Sequence, residues 1–64
     1  MNWTDSLEIA IALEETHPQI DPKSVNFVDL HQFVSELDGF EEGNSRCGER
    51  VLEAIQMHWI EEKN

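Results

Sequence analysis

Carboxylates are the reactive groups this sequence supplies in quantity. Asp29, Glu36, Asp38, Glu41 and Glu42 fall within residues 24–45, a stretch that contains no Lys or Arg. Carboxylates without a neutralising base have two natural counterparts, a basic protein surface or a hard cation that accepts oxygen ligands. Glu14-x-x-His17 and His58-x-x-Glu61 have the i,i+3 spacing that places two ligands on one helix face. Di-iron bundles draw such groups from four helices, and only three helices are patterned here, so both pairs read as structural or surface residues. Cys47 lies between Arg46 and Gly48 near a helix start, a place where a thiol pKa can fall. The commoner reading is an incidental, partly exposed cysteine. No glycine-rich phosphate loop, nucleophile elbow or closely spaced Cys pair occurs, and no enzymatic activity is expected.

The charge narrows the partners further. The chain has 64 residues with 14 acidic and 4 basic side chains, a net charge of −10. Nucleic-acid affinity rests on Lys and Arg displacing counterions from phosphates, so DNA and RNA are excluded. The same sign argues against anionic membranes. The excess is uneven. Residues 1–23 set Asp5, Glu8, Glu14, Glu15 and Asp21 against Lys23, whereas residues 46–64 nearly balance four acids with Arg46, Arg50 and Lys63. A solvated acidic shell keeps a small protein soluble, but it does not require bases to be missing from residues 24–45. The hydrophobic fraction of 39% is enough for one compact domain rather than a disordered chain. A lone Cys forms no internal disulfide and suits a reducing compartment. No long apolar run or leader pattern is present, so a soluble, cytoplasmic monomer is expected.

Three helices must position these groups. The first follows Trp3, with Thr4 or Asp5 as N-cap and Glu8 spaced for a capping box on Asp5. Leu7, Ile9, Ala10, Ile11, Ala12 and Leu13 give it a broad apolar face, and Pro18 ends it. Asp21-Pro22 reads as a turn, and Val25-Asn26-Phe27 as a short extended piece tucking its apolar residues under the helices. The second helix is expected to start at Asp29 as N-cap, with Gln32 at N3 and a Val28–Phe33 staple. Leu30, Phe33, Val34 and Leu37 form its buried stripe, and Asp38-Gly39 stops it. Phe40 then returns to the core. The third helix begins between Ser45 and Glu49 and buries Val51, Leu52, Ile55 and Trp59, with Arg46–Glu49 and Arg50–Glu53 as i,i+3 pairs. The fold class is all-α, a compact three-helix bundle over residues 1–64.

Such an order invites comparison with helix-turn-helix modules, whose second helix presents basic or amide side chains to DNA. Here that helix presents Asp29, His31, Gln32, Ser35, Glu36 and Asp38, so no DNA-reading surface exists.

The residues also carry a family likeness. Trp3-Thr4-Asp5-Ser6, Asp21-Pro22-Lys23, Phe27-Val28-Asp29-Leu30-His31-Gln32-Phe33, Phe40 followed by acids, and Val51-Leu52-Glu53-Ala54-Ile55 with Trp59 resemble the IscX family. These are small acidic proteins of bacterial iron–sulfur cluster assembly. The likeness runs from Trp3 to Glu62. It implies a winged-helix-like variant used for protein recognition, docking on a basic patch of the cysteine desulfurase and binding ferrous iron weakly through surface carboxylates. Ferredoxin is a second candidate partner, and no tightly bound cofactor is implied. Carried over by position, the partner-binding residues are Asp5, Asp29, His31, Gln32, Glu36, Asp38, Glu41 and Glu42. The weak metal ligands are Asp29, Glu36, Asp38, Glu41 and Glu42. The alternative function is an iron carrier that donates metal to the assembly. Two positions depart from the family pattern: Glu41-Glu42-Gly43-Asn44 replaces an aspartate run closed by proline, and Phe33 stands where Trp is frequent.

Overall fold

Helix α1 spans Ser6–Thr16 with Asp5 as N-cap. The expected capping box is not formed. The Asp5 carbonyl accepts from the Ile9 amide at 2.8 Å, but its side chain makes no cap bond, because Oδ2 turns back to the Asn2 amide at 3.0 Å. The helix ends at His17, one residue before Pro18, as the ring demands. Ile9, Ala10 and Leu13 are fully buried, but Leu7 and Ile11 are exposed. At 3.6 residues per turn, Leu7 and Ile11 fall nearly opposite Ile9. The broad apolar face therefore splits into one buried stripe and one that meets solvent.

The described structure, a computed structural model, covers residues 1–43 and 47–64. A 3-10 turn, Pro22–Ser24, follows α1, and Asp21 caps it by accepting from the Lys23 amide at 3.1 Å. Helix α2 spans Phe27–Ser35. Its N-cap is Asn26, whose Oδ1 accepts from the Asp29 amide at 2.8 Å. This corrects the expected start at Asp29. Asn and Asp are equally good caps, and the earlier one prevails because a helix begun there packs Phe27 against the core. Asp29 moves to the third helical position, where its charge favours the helix dipole. Val28, expected to staple the entry, instead stands 80% exposed.

The far end of α2 also tightens early. Ser35 Oγ donates to the His31 carbonyl at 2.8 Å, and the Leu37 amide bonds Val34, three residues back, at 3.1 Å. The chain then turns through Gly39, whose φ of +80° is the left-handed conformation expected of that glycine.

Helix α3, Glu49–Lys63, begins after Gly48, within the expected window. Leu52, Ile55 and Trp59 are its buried stripe, joined by Leu30, Val34 and Leu37 of α2 and its turn, and by Trp3. The Asn44 part of the acidic loop, Ser45 and the Arg46–Glu49 pair lie outside the described residues. Arg50 and Glu53 do not close the expected ion pair, whereas Lys63 and Glu14, also among the described residues, pair at 3.1 Å. Among the described residues there are three α-helices and no strand, which is the all-α bundle the periodicity predicts. No helix among them is long and apolar enough to cross a membrane.

Two side chains lock α3 in place. Gln56 Nε2 donates to the Pro22 carbonyl at 2.9 Å and the Val25 carbonyl at 3.1 Å, tying α3 to the 3-10 turn. Glu14 Oε1 accepts from Trp59 Nε1 at 3.2 Å and from Lys63 Nζ, while Lys63 also donates to the Pro18 carbonyl at 2.6 Å.

Candidate functional site

The outer side of α2 and the turn after it carry the expected docking residues. Asp29, His31, Gln32, Glu36, Asp38, Glu41 and Glu42 are all exposed, and Asp5 is half-buried. His31, Glu41 and Asp5 are tied together by the first three residues of the chain. Trp3 is buried, and its ring lies 5.0 Å from the His31 ring and 4.8 Å, edge-on, from Phe40. Phe40 thus returns to the core as expected. The Met1 amino group donates to the Gly39 carbonyl at 3.2 Å, and the Met1 carbonyl accepts from the Glu41 amide at 2.8 Å. This strap joins the middle of α2, the turn after it and the start of α1, so His31, Glu41 and Asp5 share one end of the molecule. The Trp3 Nε1 donor is buried without a partner.

The carboxylates on this side are spread, not gathered. Asp29 and Glu36 are seven residues apart, about 10 Å along a helix axis, which is too far for one ion whose oxygen ligands lie about 2.0–2.6 Å away. Among the described residues, no group of three His, Cys, Asp or Glu side chains converges on a point that could hold a metal. The side chains of Asp29, Glu36, Asp38 and Glu41 take no hydrogen bond or ion pair from the rest of the protein. Neither His–Glu pair belongs to a group of three such side chains among the described residues. His17 is half-buried with its ring 4.9 Å from Phe33, a packing role.

Cys47 is partly buried, in line with the reading of an incidental, partly exposed cysteine. Burial, and then the negative charge of Glu42, push its thiol pKa above the ordinary value. Any lowering by the nearby helix start is outweighed, because a thiolate there would be both desolvated and repelled.

Sequence reasoning missed a second feature on this side. Phe27, Val28, His31 and Gln32 of α2 face Cys47, Gly48, Glu49 and Leu52 across an open groove of about 520 Å³. Placing the α2 cap at Asp29 concealed it by assigning Val28 to a buried staple. The signal that could have found it was Asn26, since a helix begun there puts Val28 at N2, off the Leu30–Val34 stripe.

Comparison with known proteins places the chain in a family. The family described as iron-sulphur cluster assembly matches residues 1–64. Uncharacterized protein PA3808 of Pseudomonas aeruginosa is 56% identical over 64 residues, covering 100% of this chain and 97% of that protein.

Proposed function

From the premise that this chain belongs to the iron–sulfur cluster assembly family of IscX type, we propose that it is an acidic adaptor that docks on the cysteine desulfurase and tunes sulfur delivery. The observation that carries this reading is the set Asp29, Glu36, Asp38 and Glu41, exposed and unbonded within the protein. An internally unpartnered acidic face keeps its full charge for a basic patch, where complementarity supplies steering and orientation more than raw affinity. His31 and Gln32 lie on the same helix and add neutral hydrogen-bonding groups. Asp5 and Glu42 add to the acidic set.

Ferrous iron, in this reading, is a weakly held cargo or signal. Dispersed carboxylates bind a cation through one or two oxygens each, with water completing the shell. The lack of a converging three-ligand group among the described residues favours the adaptor over a carrier that delivers metal.

The test is binding of purified desulfurase at low and physiological salt. The wild-type complex should weaken steeply with salt, and the double variant Glu36→Lys/Asp38→Lys should lose at least tenfold in affinity with its helical signal intact. Full binding by that variant at physiological salt would sink the assigned face. Anaerobic titration with iron(II) separates the roles, because a carrier keeps its metal through desalting and the adaptor does not.

A further inference from the structure

The groove between the first turns of α2 and α3 is the place where apolar surface and acidic charge coincide. Phe27 and Leu52, which pack against or within the core, line it from its two walls, and Val28, 80% exposed, is among its lining residues. Its volume of about 520 Å³ falls in the range of about 300–1,000 Å³ typical of ligand and side-chain pockets. Glu49 lines the wall, and the charge of Glu42 reaches the Cys47 thiol on that wall. Asp29 adjoins Val28 in the chain, and Arg50, one residue beyond Glu49, does not line the groove.

We propose that this groove receives an apolar side chain flanked by Lys or Arg from an exposed segment of the basic partner. The inference rests on the docking reading above and deepens it. The acids outside supply steering, and the groove supplies the desolvated anchor that a charged rim by itself lacks. Charge complementarity selects this occupant. Glu49 on the wall repels anionic ligands, despite the helix start at Gly48, and leaves an aliphatic stem carrying a cation as the group that satisfies both floor and wall. His31 and Gln32 on the opposite wall can bond the backbone of an extended segment.

Two measurements on the intact chain with purified desulfurase test this. Val28→Ser removes the exposed anchor without touching the core, and it should weaken the complex about tenfold with the salt dependence unchanged. Cys47 in the wild-type chain should react with N-ethylmaleimide several-fold more slowly in the complex than alone. Wild-type affinity for Val28→Ser and an unchanged Cys47 rate, while Glu36→Lys/Asp38→Lys still lowers binding, overturn the groove and leave the docking face standing. Absence of any wild-type complex overturns both. Protection of Cys47 that grows with the concentration of this chain alone identifies a second copy as occupant and also overturns the proposal.

Discussion

The α1–α3 seam and the outer side of α2 use the same residue type in opposite ways. In the seam, the Glu14 carboxylate is satisfied by Trp59 Nε1 and Lys63 Nζ, and Lys63 is fixed in turn by the Pro18 carbonyl. On α2 and its turn, Asp29, Glu36, Asp38 and Glu41 have no such partner. The α2 side receives a cation in the Met1 amino group, but that group bonds the backbone of Gly39 rather than a side chain. The difference teaches that net charge is not one property of this protein. Part of it closes the fold, and part is left available to another molecule.

The most severe way to probe the contrast is to cut the seam. Ile55 is fully buried, and Ile55→Ala should cost about 2–5 kcal/mol, comparable with the roughly 3–5 kcal/mol that a core this small supplies. Circular dichroism at 25 °C should show most of the helical signal gone. Glu14→Ala leaves the Trp59 donor unsatisfied and should cost about 1–3 kcal/mol, whereas Glu36→Ala should change stability by no more than about 0.5 kcal/mol. At about 4–8 °C of melting temperature per kcal/mol, thermal melts separate the two, and equal shifts would erase the contrast.

A smaller effect tests the corrected helix start. Asn26→Ala should cost about 1 kcal/mol by removing the α2 cap, and Asp29→Ala less, through the helix dipole alone. The reverse order in urea titrations would restore Asp29 as the cap.

The smallest effect is at Cys47. Its raised pKa, from burial and then Glu42, should move the midpoint of alkylation to higher pH than in the unfolded chain, and Glu42→Gln should bring it partly back. The sign for stability follows. The folded state holds the thiol proton more tightly, so this contribution is complete below the unfolded pKa and is lost as pH rises through the folded one. A midpoint below that of the unfolded chain would restore the helix start as the dominant influence.

Much of the fold was legible because local physics decides it. Pro18 stops α1 by its ring, Gly39 takes the positive φ that other residues resist, and the spacing of Leu30, Val34, Leu37, Leu52, Ile55 and Trp59 names their buried faces. The start of α2 was not legible, since Asn26 and Asp29 are equivalent caps until the packing of Phe27 is known. Leu7 and Ile11 belong to the broad apolar face of the first helix, yet both are exposed. Apolar character marks a residue that can be buried, but one helix offers only one stripe to its neighbours. Of the site, the acidic residues were legible by composition, and the groove beside them was not.

Sequence order by itself determined the helix count, the sign of the charge and the 22 residues from which bases are missing. Only the tertiary structure decided which acids are neutralised and which stay free. Lys63 reaches Glu14 across 49 residues, Trp3 joins His31 to Phe40, and Cys47 comes under the field of Glu42. The physical reason is that helical period fixes which side chains share a stripe, whereas the partner of each stripe depends on how the three helices close around one core.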